Sequence, residues 1–396
     1  MAKRFVGWSA VYASVMTLSW HGCVSVMVNG GGTTCGNQVC EAGETGASCP
    51  ADCGVTEGSV SSPQEKPSSL PLFDDVNLYA PDSPLNQKIA LDAEIDPHSD
   101  DYVNLIVQAG VTDGFVIEFK QFSSPVYFTD SGTPRVDVFL ACGQDYAGVD
   151  FLKDVPIPFF AEAANDVDGA DNPIPQGVCG DAADQDNQMV ILNLETRCEY
   201  DMFQARFENG KWVASWANSI SLDSQGFYEK GFSARGSGFT TLAGLIWPDE
   251  LKNGEIKHAL GFSYPGVAAG GPVSPATESD GISTGLWALP EGARLQLDPS
   301  LNLDTLGLTP YAKTIAKALQ AYGMILFDDG SSGVSIEAID PKSTQGNAYE
   351  GLFPDVDFPE LNDIPLDRLR LLKLPPQISN ANDINALVPS GCGLLE

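Results

Sequence analysis

The sequence predicts a mainly β protein, a β-sandwich or jelly-roll with one packed helix at 309–322 and short helical turns besides. Three observations predict it. Short runs of β-branched and aromatic residues recur along the chain, Gly, Asn and Asp turn signals separate them, and one stretch alone sustains a clear helical stripe. No repeat of about forty residues recurs, which argues against a propeller.

The strand runs come in order. Residues 115–122 (FVIEFKQF), 126–128 and 136–140 are β-branched and aromatic, and 189–194 (MVILNL) is an apolar run of buried-strand type. Residues 198–208 and 211–217 flank Asn209-Gly210, whose positive φ angles suit a type I′ hairpin turn. Runs at 256–264, 293–297, 324–327 and 334–339 follow, with Asp329-Gly330 in the turn between the last two. Residues 247–252 (WPDELK) form a brief helix that stops at Asn253-Gly254. The longer helix is capped by Thr309, starts on Pro310 and ends at Gly323. Its apolar stripe is Ala312, Ile315, Ala316, Leu319 and Tyr322, a packing face for the sheet.

Of 396 residues, 53 are Asp or Glu and 21 are Lys or Arg, a formal net charge of -32. Such a field repels phosphate backbones and anionic membranes, so nucleic acid is not an expected partner. Lys3 and Arg4 precede an uncharged, largely apolar run at 5–20, a signal-segment pattern too short for a comfortable membrane span. Cys23 follows Gly22 as at a bacterial lipoprotein cleavage site, so the membrane is expected as a partner only through a lipid on Cys23. The expected location is extracellular or the outer surface of a bacterium. Expected divisions are a signal segment (1–23), a cysteine-rich surface module (24–53), a flexible linker (54–75) and the main β-rich domain (76–396).

Setting Cys23 apart leaves eight of the nine cysteines, an even number that reads as disulfides in an exported chain. Two groups are expected: one within 35–53, the other among Cys142, Cys179, Cys198 and Cys392, with the pairing left open. The segment CGNQVCEAGETGASCPADC at 35–53 resembles a short cysteine-rich repeat of secreted bacterial proteins, with Gly46 where that pattern has a further cysteine.

No GxSxG elbow, HExxH, P-loop or dinucleotide glycine fingerprint is present. Three weaker constellations remain. The acidic loop at 165–187 offers Asp166, Asp168 and Asp171 as oxygen ligands for Ca2+, although its spacing is not that of an EF-hand. The strands around Asp186 and Asp201 place acids near Gln204, Trp212 and Trp216, like the carboxylate and aromatic floor of a sugar cleft. Alternation puts Asp201 and Gln204 on opposite strand faces unless a bulge intervenes. The third comprises Arg235 in SARGSG, His258, and Glu278 and Asp280 in PATESDG, an anion anchor beside an acid/base cluster.

Residues from about 96 to 340 resemble a group of exported bacterial proteins with no assigned activity. The resemblance is carried by DNQMVILNLETRCEYDMFQA, SARGSGFTTLAGLIWPDELKNGEIKHAL, PATESDG, PEGARLQLDP and ALQAYGMILFDDG. It implies that Asp186, Gln204, Arg235, His258 and the PATESDG loop belong to one site. Histidine often stands there in place of Gln188 and Glu278. The expected function is a carbohydrate-active protein acting on a polysaccharide or cell-surface glycan, as a hydrolase or lyase using carboxylates. In that reading His258, Asp186, Asp201, Glu278 and Asp280 are catalytic, and Arg235, Gln204, Trp212 and Trp216 hold substrate. The alternative is a non-catalytic glycan-binding, adhesion or structural surface protein.

Overall fold

The computed structural model describes residues 65–166, 185–229, 232–330, 332–379 and 392–396, all within the unit Ser61–Glu396. The expected signal segment and cysteine-rich module, residues 54–64 of the linker, Asp168, Asp171 and Cys179 lie outside the described residues.

Among the described residues, the strands in chain order are β1 (Phe115–Glu118), β2 (Val126–Thr129), β3 (Arg135–Leu140), β4 (Phe151–Pro156), β5 (Met189–Asn193), β6 (Cys198–Phe203), β7 (Arg206–Glu208) and β8 (Lys211–Ala214). Then follow β9 (Trp216–Ser221), β10 (Leu260–Tyr264), β11 (Arg294–Leu297), β12 (Met324–Asp329), β13 (Val334–Glu337), β14 (Leu369–Leu371) and β15 (Leu394–Leu395). The helices are α1 (Phe73–Val76), α2 (Ser99–Asp113), α3 (Gly143–Ala147), α4 (Pro248–Asn253) and α5 (Pro310–Ala321), with short 3-10 turns between elements. They build three mixed sheets, ordered β1-β13-β10-β12-β11-β14, β15-β4-β3-β8-β7 and β2-β5-β6-β9. The fold is a mainly β sandwich with few helices.

The cores show how the sheets layer. Strand β5 is buried along its whole length, as its apolar run predicts. Val190 and Leu192 pack in one core with Ile325 and Phe327 of the six-stranded sheet, and Met189 and Ile191 in another with Val138, Leu140 and Leu152 of the five-stranded sheet. The four-stranded sheet is therefore the middle layer. A third core joins the far face of the six-stranded sheet, through Phe262, Leu326 and Ile336, to Val103 and Ile106 of α2 and to Ile315 and Leu319 of α5. Thr309 caps α5 by accepting from Ala312 N at 3.3 Å, and Pro310 opens the helix.

The hairpin at Asn209-Gly210 forms with both turn residues at positive φ, 51° and 78°, but its arms are broken. Gln204 takes a φ of 54° and ends β6, while Ser215 separates β8 from β9. One long expected hairpin becomes a corner where the chain passes from the middle sheet to the outer one. The Ser215 hydroxyl donates to the Gln204 side chain across that corner.

Two elements depart from the sequence reading. Helix α2 adds a second long helix, and residues 65–75, expected in the tether, lie on the domain. Leu70 and Phe73 pack against the core there, and Phe73 meets Trp247 edge-on at 5.7 Å.

Cys198 and Cys392 are disulfide-bonded across a separation of 194 residues, and Cys142 is also in a disulfide. The first bond ties the segment carrying β15 to the middle sheet. Cys392→Ser is expected to cost about 2–4 kcal/mol of stability, because so long a loop is freed in the unfolded chain. Urea unfolding of the variant beside the wild type reads the difference.

Candidate functional site

The glycines of SARGSG explain how its loop meets PATESDG. A Cβ on Gly236 would stand 2.2 Å from an Asp280 carboxylate oxygen, and one on Gly238, at φ 89°, would strike the Thr277 hydroxyl. Only bare backbone admits these side chains so closely. Thr277 N donates to Ser237 O at 3.1 Å, and Ser233 N donates to the Glu278 carboxylate at 3.4 Å. Two segments some forty residues apart thus form one wall.

Arg235 projects from that wall with its side chain only 1% exposed. It donates in a fork to both oxygens of Glu337, at 2.8 and 2.9 Å, and its Nε lies 3.9 Å from Asp328. Glu337 pairs in register with Glu118 across the parallel strands β13 and β1. Since Val334 and Ile336 serve the helix-side core, alternation turns Ser335, Glu337 and Glu118 toward the middle sheet. Burial, then the Glu337 charge, push Glu118 well above the usual carboxylate range.

Asp186 enters from the segment before β5. Burial and the Asp166 carboxylate push it up to about 7, with Glu337 and Asp280 adding to the rise and Arg235 opposing it. Glu278 is pushed up to about 8 by burial and by Asp280, against the Ser233 N–H. Burial likewise raises Asp328, with Arg235 opposing. Arg235, Asp186, Glu278, Asp280, Asp328, Glu337 and Glu118 therefore feel one another in a single carboxylate cluster whose members, Arg235 apart, are half-buried or exposed. Asp280, Glu291 and Asp328 bring carboxylate oxygens within 4.8 Å of one another, a group suited to a metal ion.

The segment bearing Asp186 is held firmly. Asp166 is buried and accepts from Asn187 N at 2.8 Å and from Asp186 N. Gln204 donates its amide to Gln185 O at 2.9 Å and its backbone N–H to Asp186 O at 2.6 Å. Asn187, Gln204 and Phe122 all take positive φ angles here, and such strain persists only where surroundings enforce it. Gln204 is fully buried, so it positions Asp186 where the sequence reading had it hold substrate. Asp166, expected as a calcium ligand, serves the same turn.

Other expected site residues lie elsewhere. Asp201 and Glu199 are fully buried between the sheets, hydrogen-bonded to each other, with Tyr228 donating to Asp201 and Tyr79 to Glu199, both at 3.0 Å. Burial pushes Asp201 up to about 6 and Glu199 well above its usual range, so this pair keeps a proton inside the core. Trp216 is buried, its indole N–H donating to Phe232 O, and Trp212 packs edge-on against Phe207. Neither floors the cleft.

His258 belongs to a separate network. Its Nε2 lies 3.2 Å from Glu250, its Nδ1 2.9 Å from Ala259 O, and its ring packs 4.9 Å from Phe73. Glu250 also accepts from Trp247 N and so caps α4. Arg235 and its carboxylates share no residue with this cluster among the described residues, which separates His258 from the cleft. Burial pulls its pKa down, but the Glu250 charge outweighs that and leaves it above the usual value. A raised folded value means the pair stabilises fully below about pH 6.5 and loses its effect as pH rises through the folded pKa. The stability lost in His258→Gln is thus expected to be largest at pH 6 and to shrink by pH 9, read from urea midpoints.

Compared with protein-family models, with curated proteins and with solved structures, the chain matches none. The site is therefore interpreted from its own chemistry.

Glu118, Glu291, Asp328 and Glu337 escaped the sequence reading. Each had a signal: Glu118 and Glu337 are lone acids inside apolar strands, in FVIEF and VSIEAI. A charge at an inward position calls for a partner. Glu291 and Asp328 are acids beside apolar runs, in PEGARLQLDP and ALQAYGMILFDDG.

Proposed function

We propose that the chain is a carbohydrate-active hydrolase that cleaves a polysaccharide or cell-surface glycan at the carboxylate cleft around Arg235. The observation that carries this reading is the division of labour among the acids. Glu337 is tied to Arg235, Asp328 lies near the same guanidinium, and Glu291 is fully buried. Asp186 and Glu278 are half-buried and have no cation within ion-pair distance among the described residues. Glycoside hydrolysis needs two such carboxyl groups, one delivering a proton to the leaving oxygen and the other serving the sugar ring or its water. Arg235 fixes the floor on which they stand. In this reading Ca2+ takes no part in the proton transfers.

Hydrolysis is favoured over the lyase alternative by charge. Acidic polysaccharides that lyases open carry a carboxylate on the sugar, and a site with six acids and one arginine repels it. A binding-only module would rest on an aromatic platform, and Trp212 and Trp216 are packed elsewhere. The reading is tested by incubating the full chain with a panel of neutral, amino and acidic polysaccharides. New reducing ends without ultraviolet absorbance support hydrolysis. Absorbance from unsaturated products would move the protein to the lyases, and binding without either would make it a glycan-binding module.

A further inference from the structure

Glu291 stands out among the acids of the described residues. It is 0% exposed, and neither of its carboxylate oxygens has a hydrogen-bond partner at normal geometry, the Ser279 hydroxyl being the nearest help. An unsatisfied buried carboxyl is costly, and native interiors seldom keep one without a ligand or a proton to answer it. Its oxygens also face two more acids, since the ligand atoms of Asp280, Glu291 and Asp328 all lie within 4.8 Å of one another. Arg235 relieves the crowd only in part: its two terminal nitrogens are committed to Glu337, and its Nε lies 3.9 Å from Asp328.

We propose that Asp280, Glu291 and Asp328 form a binding site for a hard divalent cation of the Ca2+ type. The donors are all carboxylate oxygen, with no imidazole or thiolate in the group, which suits Ca2+ or Mg2+ and not zinc or copper. Asp280 is exposed and gives the ion a way in from solvent. The three ligands come from separate segments: the PATESDG loop, the turn before β11, and the end of β12. Backbone bonds already register the last two, Gly292 N donating to Leu326 O at 2.9 Å. A cation here would fasten the PATESDG loop, and with it Glu278, to the six-stranded sheet. The site stands on its own geometry and does not depend on the hydrolase reading.

The full chain, stripped with a chelator, is titrated calorimetrically with Ca2+, Mg2+ and Mn2+, and its thermal unfolding is followed with and without each ion. Wild type is expected to gain roughly 5 °C at a hundredfold excess of ion over Kd. Glu291→Gln keeps the shape and removes the charge. It is expected to lose this binding event and the thermal gain while melting no lower than wild type in chelator. Asp280→Asn, at an exposed position, gives the same test should Glu291→Gln fail to fold. Asp298→Asn, a half-buried acid held by Ser300 and Arg368, should bind like wild type. No binding of any of the three ions, or equal stoichiometry and affinity in wild type, Glu291→Gln and Asp280→Asn, would overturn the proposal. In the second case the acids elsewhere in the chain account for the binding.

Discussion

Arg235→Met is expected to lower the free energy of unfolding by about 3–5 kcal/mol, the cost of removing one partner from a buried ion pair. The arginine is almost wholly enclosed, and its fork answers Glu337, which stands beside Glu118 and near Asp328. Without it those acids must take up protons or move apart. Arg235→Lys keeps the charge but not the two parallel bonds, so it should recover only part of the loss. The double variant Arg235→Met/Glu337→Gln should be more stable than Arg235→Met alone, because the stranded carboxylate goes with its partner. Urea unfolding of the four proteins measures all of this. A single variant as stable as wild type would show that Arg235 does not organise the cleft.

The second large effect concerns turnover. On whichever polysaccharide the wild type cleaves, Asp186→Asn and Glu278→Gln are each expected to lower kcat by about 10²–10⁴. Neither side chain carries an ion pair, and both changes preserve shape, so melting temperature should stay close to wild type. His258→Gln should do the reverse, with little change in kcat and a clear loss of stability, because its partners are Glu250 and the Ala259 carbonyl.

Much of the sheet structure was legible because β periodicity and turn chemistry are local. The run MVILN reads as a strand buried on both faces and is one, with alternate residues in two different cores. Asn209-Gly210 turns as its chemistry dictates. Helix α2 was hidden for a physical reason: SDDYVNLIVQAGVTD buries only Ser99, Val103 and Ile106, so its stripe is narrow, and β-branched residues blur the period. Gly110 within it lies under the Leu366 side chain, whose end methyl would stand 2.3 Å from an added Cβ.

The site was legible in its loops and not in its strands. SARGSG and PATESDG advertise themselves by small residues around single charges, and they pack together. Glu118 and Glu337 meet across strands more than two hundred residues apart in sequence, and no local pattern encodes that pairing. The same limitation misplaced His258. It lies in a bend before β10, which starts only at Leu260 although a strand run was expected at 256–264, and the side of the fold on which Glu250 waits has no local signal. The break at Gln204 had the opposite effect. It removed that residue from the solvent-facing pattern and put it to work on the backbone of Asp186.

Whether the carboxylate cluster around Arg235 cleaves glycans is decided by one comparison. Reducing-end release by the full wild-type chain is measured on the polysaccharide panel beside the Asp186→Asn/Glu278→Gln double variant, with both proteins shown to melt alike. Wild type is expected to release reducing ends steadily from at least one neutral or amino polysaccharide, and the double variant none above background. Equal release by the two proteins, or no release by wild type on any member, would contradict it.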